Sequence, residues 1–316
     1  MLLGSPLTEL LLLAGGIVLL YAGAELLVTG AGDLALAVGL KASTVGVTVI
    51  AFATTAPELF VSLLGAVTVS TDVGLGTILG SNIANIGLVL GVSALIRPLD
   101  ISETVFERQV PFMVLAALLL VGLGWNGRIG RPGGLLLLGT LVAFTAVIMR
   151  RIQQTQSGIT SAERAEMPDA SLRDVASVIG GLVALVLGSQ WLIDGGASLL
   201  SAAGFSDIFI GLTVLALGTS LPELAASVVA AYRGEAEFSV GNVVGSNIYN
   251  ILAVLGIVAL VRPIGVGPGV RGFEFPALIA FTALLVGLMY RGERISRVDG
   301  VVLVAGYALF VYLLFP

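Results

Sequence analysis

Neither cysteine nor histidine occurs among the 316 residues of this chain. The first absence excludes disulfides, thiolate metal sites and cysteine nucleophiles. The second removes the usual general base and a preferred ligand of the softer metals. Charge is also scarce: Asp, Glu, Lys and Arg make up 11% of the residues, against about a quarter in a soluble domain. Hydrophobic residues reach 57% and the mean hydropathy is +1.07. A water-facing globule cannot be covered from this inventory. The formal charge of −5 says little about partners when most of the surface faces lipid, and no nucleic-acid partner is expected.

What is present is a series of apolar runs, each able to cross a hydrocarbon core of about 30 Å. Ten spans are read: 8–38, 43–69, 73–96, 104–124, 132–150, 172–201, 208–232, 238–261, 273–290 and 298–315. The expected class is an all-α integral membrane protein. The first and sixth spans exceed what a bilayer requires, so tilt or extension beyond it is expected. No Lys or Arg precedes the first span, Lys41 being the first basic residue, so that span reads as a helix and not a cleaved leader. Ten spans put both termini on one side. Lys41, Arg97, Arg108, Arg150, Arg151, Arg164, Arg173, Arg233, Arg291, Arg294 and Arg297 then fall on one face, and Arg128, Arg131, Arg262 and Arg271 on the other. The bias puts the larger group in the cytoplasm of a cell-membrane protein with both termini outside.

The chain also repeats itself at an offset of 165 residues. Residues 46–59 (GVTVIAFATTAPEL) match 211–224 (GLTVLALGTSLPEL) at eight of fourteen positions, and 74–91 match 239–256 at ten of eighteen. The polar stretch 151–171 separates the copies and reads as a cytoplasmic linker. The organisation is therefore a five-helix repeat over 1–150, the linker, and a second repeat over 172–316. Five spans are an odd number, so the second copy inserts upside down. Such inverted-topology repeats are typical of secondary transporters.

Each copy carries one acid inside an apolar run, Glu58 or Glu223. An ionised acid near the bilayer centre costs roughly 2.5–3.5 kcal/mol on insertion scales, and two such costs at equivalent positions call for a function. Thr54 and Glu58 are four apart and share a helix face, with Thr55 adjacent and Ala51 one turn back. Pro57 cannot donate to the carbonyl of Ala53. The second copy repeats the set as Ala216, Thr219, Ser220, Pro222 and Glu223, with the Gly218 carbonyl freed. Ser81 with Asn85 and Ser246 with Asn250 follow, each pair again four apart. All these candidate ligands offer oxygen, which suits Ca²⁺ or Na⁺ and suits Zn²⁺ or Cu²⁺ poorly. Taken singly, Pro and Thr in such helices also mark plain kinks. Gly76–Gly80 and Gly241–Gly245 have the GxxxG spacing of close helix packing. Glu25, Asp33 and Asp194 lack acidic counterparts in the other copy, and interfacial pairing or cavity lining is expected of them.

The runs TTAPEL (54–59) and GTSLPEL (218–224), each followed by GSNI-x-NI (80–86 and 245–251), resemble the two alpha repeats of the calcium/cation antiporter superfamily. The likeness is to its sodium/calcium exchanger branch, especially the compact ten-span prokaryotic members. The resemblance covers essentially the whole chain. It implies a mid-membrane site that alternately binds one Ca²⁺ or about three Na⁺. Glu58 and Glu223 would be the central Ca²⁺ ligands, helped by the carbonyls of Thr54 and Thr219. The carbonyls of Ala51 and Ala216, with Thr55, Ser220, Ser81 and Ser246, would complete flanking Na⁺ sites, and Asn85 and Asn250 would line the centre. The long first and sixth spans resemble a helix pair that slides across the rest. Two departures stand out. Asn250 replaces an Asp found in the potassium-dependent branch, so K⁺ co-transport is not expected. Ala53-Thr54-Thr55-Ala56 replaces Gly-Thr-Ser-Leu or Gly-Ser-Ser-Ala, which bears on ion affinity.

The reading is thus a Na⁺-driven Ca²⁺ antiporter, functional as a monomer, with Ca²⁺ and Na⁺ as substrates, membrane lipid as surroundings and no cofactor. H⁺/Ca²⁺ exchange is the alternative within transport, since adjacent glutamates repel and could hold protons. A cation channel ranks below both, and an intramembrane enzyme last.

Overall fold

The computed structural model describes residues 6–37, 39–40, 44, 48, 51–55, 58–59, 62–63, 71–158, 168–203, 216–292 and 294–314. Pro57, most of 43–69, residues 204–215, which include the start of the seventh span, and 159–167 of the linker lie outside them. Eight helices among the described residues are long and apolar enough to cross a membrane, from Leu7–Ala37 to Arg297–Leu314. Their limits fall within a few residues of the apolar runs, with two differences. The fifth helix, α6 (Arg131–Gly158), runs on through Arg150 and Arg151 into the stretch read as linker. The helix over the ninth run is interrupted at Phe273, between α12 (Pro268–Gly272) and α13 (Glu274–Arg291).

Burial sorts these helices. In their most apolar stretches, 78% of Gly74–Ile96 and 89% of Ala236–Val261 is buried, but only 22% of Arg131–Gln154 and of Arg297–Leu314. The two buried helices are therefore the centre and the others form a lipid-facing shell. Each central helix is built in three pieces. The first is α3 (Thr71–Ala84), a π-helical turn over Asn85–Leu90 and α4 (Gly91–Ile96). The second is α10 (Ala236–Tyr249), a π turn over Asn250–Leu255 and α11 (Gly256–Val261). The 165-residue offset carries every piece of one onto the other. A π turn shifts the hydrogen-bond ladder by one residue, and such turns recur at functional sites.

Contacts between the two halves come in exchanged pairs. The longest helices, α1 (Pro6–Ala37) and α7 (Leu172–Ala202), pack antiparallel along a seam of glycines seven residues apart. A Cβ on Gly16 would stand 2.9 Å from the Gly188 carbonyl oxygen, and one on Gly23 would stand 2.8 Å from that of Gly181. Gly30 meets the Asp174 carbonyl and Gly195 that of Glu9 in the same way. Gly91 against Gly300 repeats as Gly256 against Gly134. The offset maps each α1–α7 contact onto its fellow with the halves swapped, as in a self-complementary interface; in the other pair it carries Gly91 to Gly256 and Gly300 to within one residue of Gly134. By contrast, no described residue lies within 4 Å of a Cβ built on Gly76 or Gly80. The close-packing reading of that GxxxG is therefore corrected: at this spot the small residues leave space, and the close approaches occur elsewhere.

The all-α expectation needs one amendment. Two-residue strands β1 (Leu99–Asp100) and β4 (Arg294–Ile295) pair antiparallel, as do β2 (Arg128–Ile129) and β3 (Ile264–Gly265). Arg97 and Arg262 end their helices in extended conformation directly before Pro98 and Pro263, which disfavours helix in the preceding residue. The chain then meets another loop on its own face of the bundle. Leu99 opposite Ile295 and Ile129 opposite Ile264 are all buried, so each pairing also plugs the core end.

Candidate functional site

Both acids sit where a helix is broken. In the second half, α8 (Ala216–Gly218) ends, Thr219 and Ser220 turn, and α9 (Leu221–Arg233) begins with Pro222 in its first turn. Pro is accommodated there because a first-turn N–H has no helical partner to lose. The freed Gly218 carbonyl accepts from the Ser189 hydroxyl of α7. Glu223 thereby falls in the first turn of α9, where the unpaired N–H groups and the helix dipole favour negative charge. In the first half, α2 (Ala51–Thr54) gives way to a turn at Thr55, and Glu58 is again helical.

Glu58 and Glu223 are both fully buried, and they lie near enough to repel one another. Among the described residues, none of their four carboxylate oxygens has a hydrogen-bond partner. Buried polar atoms are almost always paired, so two buried acids at equivalent places in the halves ask for partners. Hydroxyls surround them. Thr54 and Ser246 flank Glu223 and stand 3.5 Å from each other. Ser81 and Thr219 stand 3.5 Å apart in the exchanged contact. The Thr55 hydroxyl donates to the Ala51 carbonyl at 2.6 Å and that of Thr54 does so at 3.4 Å. A hydroxyl that spends its proton on a carbonyl keeps its lone pairs for something else.

Thr54, Thr219, Ser81, Ser246 and the two glutamates are thus brought together from both halves. Ser220 and Asn250 are buried, and the Ser220 hydroxyl and both Asn250 amide atoms have no hydrogen-bond partner. Asn85 is buried and donates to Asn247 at 3.1 Å. Ala51 lies against the Thr54 and Thr55 hydroxyls, and Ala216 begins α8.

The sequence reading passed over several buried polar residues near these in the chain. Asn82 and Asn247 are buried within the repeated GSNI strings, and Ser62 and Ser227 lie four residues after each glutamate, also buried. Asn242 donates to Ser227 at 3.0 Å and to the Glu223 carbonyl at 3.5 Å. The signal that would have found them was the same duplication: each of the first four has a polar twin at the offset.

The remaining acids do other work. Glu25 pairs with Arg233 at 3.0 Å. Glu25 and Asp33 line a polar recess with Thr29, Arg173 and Asp174. Glu9, unremarked in the sequence, is buried and accepts from Ser198 of α7.

A helical membrane bundle that buries two carboxyl groups among hydroxyls from both of its halves has the make-up of a cation transporter. The comparisons place it further. The family model described as sodium/calcium exchanger protein matches residues 8–150 and 174–315, and the chain belongs to that family. It is a multi-pass membrane antiporter. The inner membrane protein YrbG of Escherichia coli is 31% identical over 278 residues, 86% of each chain. The sodium/calcium exchanger MaX1 of Methanosarcina acetivorans is 27% identical over 308 residues, covering 86% of this chain and 88% of its own. Among solved structures, the sodium–calcium exchanger NCX_Mj superposes with a TM-score of 0.84 at 26% identity, over 98% of this chain and 100% of that one.

Proposed function

We propose that this chain exchanges about three Na⁺ for one Ca²⁺ by alternating access and works to extrude Ca²⁺ from the cell. The observation that carries the reading is the pair of buried glutamates with four unpaired oxygens. One dehydrated Ca²⁺ matches their summed charge. It also wants about 6–8 oxygens, more than two carboxylates give. Glu58 and Glu223 would bind it, with the carbonyls of Thr54 and Thr219. Na⁺, being monovalent, would spread over the flanking oxygens: the carbonyls of Ala51 and Ala216 and the hydroxyls of Thr55, Ser220, Ser81 and Ser246. Asn85 and Asn250 would line the centre.

The architecture proposed is ten spans in two inverted five-helix repeats, residues 1–150 and 172–316 about a 151–171 linker. The exchanged contact pairs support that symmetry. The glycine seam supports α1 and α7 moving as one body across α9. Against α9 they turn small side chains, Ala24, Ala31 and Ala35 of α1 and Ala226 and Ala230 of α9, all buried. The distribution of basic residues supports a cytoplasmic linker and external termini in the cell membrane. A single chain holds the whole set of oxygens, which supports a functional monomer.

The test is ⁴⁵Ca²⁺ uptake into proteoliposomes loaded with Na⁺ and diluted into Na⁺-free medium at equal pH. Uptake that follows the Na⁺ gradient is expected. Uptake that ignores Na⁺ and follows an imposed pH gradient would mean H⁺/Ca²⁺ exchange instead.

A further inference from the structure

An amide side chain can meet a cation with its oxygen or repel it with its NH₂, and its hydrogen-bond partners decide which face is offered. In this protein the decision for Asn85 is made by Asn247. The backbone carbonyl of Asn82 can only accept, and the Asn247 Nδ2 lies 3.4 Å from it. The Met113 sulfur, a weak acceptor, stands 3.9 Å from the same nitrogen. Asn247 is therefore held with its Oδ1 turned the other way, where it accepts from the Asn85 Nδ2 at 3.1 Å. That commits the nitrogen of Asn85 and leaves its Oδ1 buried and unpaired. Asn85 opens a π turn one helical turn after Ser81, whose hydroxyl faces Thr219.

The other half is not wired this way. Asn82, the counterpart of Asn247, gives its Nδ2 to the Ile78 carbonyl at 2.7 Å. Neither amide atom of Asn250 has a hydrogen-bond partner. All four asparagines are essentially inaccessible to solvent.

We propose that Asn247 is a positioning residue that fixes Asn85 as an oxygen donor to the transported cation, while Asn250 stays free to turn. The proposal rests on the exchange reading above. It makes the site unequal in a respect that the duplication does not dictate: one amide is oriented before the ion arrives and the other is oriented by it.

The experiment is a double-mutant cycle in reconstituted vesicles, reading the KM for Ca²⁺ and the maximal rate of Na⁺-driven uptake. Asn247→Leu keeps the branched shape, with somewhat more bulk, and removes all three contacts. It is expected to raise KM about five-fold, the fold-change of one ordinary hydrogen bond, with the maximal rate changed much less. In an Asn85→Leu background the same substitution should raise KM no further, because its effect passes through Asn85. Asn247→Asp keeps the acceptor for the Asn85 Nδ2 and is expected to restore KM. If the Leu variant fails to reach the membrane, Asn247→Ala takes its place in the cycle. Additive effects in the double variant, or equal damage from Leu and Asp, would overturn the proposal and assign Asn247 a packing role. Absence of Na⁺-driven uptake by the wild-type protein would instead overturn the exchange reading itself.

Discussion

Gly23 of α1 and Gly181 of α7 face each other so closely that a Cβ on either would lie 2.8 or 2.7 Å from the other's carbonyl oxygen. Gly32, on the same helix as Gly23, has no described residue within 4 Å of such a Cβ. The pair makes a controlled comparison. Gly23→Ala must push the two helices apart and is expected to cost roughly 1–3 kcal/mol, as overpacking does. Gly32→Ala gains helix propensity, up to about 1 kcal/mol. Thermal unfolding in detergent reads both. Equal midpoints for the two variants would remove the seam from the account.

The proposed exchange should be independent of potassium, because Asn stands at position 250. An Asp there would add a third buried carboxylate to the two that already match the charge of Ca²⁺. With Asn in place, exchange is expected to run at full rate when every K⁺ is replaced by a large organic cation. A Ca²⁺ flux that stops without K⁺ would contradict this.

Charge counting predicts that the exchange moves charge across the membrane. Two ionised glutamates give −2, one Ca²⁺ brings the site to zero, and three Na⁺ bring it to +1. A potential of 100 mV should then bias the cycle by about 2.3 kcal/mol, or about fifty-fold in the attainable Ca²⁺ gradient. Vesicles clamped with valinomycin at several K⁺ gradients and fixed Na⁺ would report it. A Ca²⁺ distribution indifferent to voltage would mean two monovalent ions per Ca²⁺.

Much of this molecule was legible in its sequence because duplication turns weak signals into strong ones. A lone Glu58 in an apolar run invites several explanations; Glu58 with Glu223 at the offset invites one. Helix limits were legible for the same reason that spans are: lipid demands about 20 apolar residues. What stayed hidden depends on partners distant in sequence. The π turns beginning at Asn85 and Asn250 follow from a one-residue slip of hydrogen bonds, which composition does not encode. Gly16, Gly23 and Gly30 were visible at their seven-residue spacing, but only the antiparallel partner α7 gives that spacing meaning. GxxxG at Gly76–Gly80 had the right form at two positions that no described residue approaches, on a helix that is closely packed elsewhere. The orientation of Asn85 was out of reach, since Asn247 lies 162 residues away.

The most direct test of the account is equilibrium ⁴⁵Ca²⁺ binding to the purified protein, titrated with Na⁺, for the wild type and for Glu58→Gln and Glu223→Gln. The account predicts one Ca²⁺ per wild-type chain, displaced by Na⁺ along a curve steeper than one ion can give. It predicts no measurable Ca²⁺ binding by either variant, each still folded, because half of the opposing charge is gone. Binding that survives either substitution, or that Na⁺ fails to displace, would contradict it.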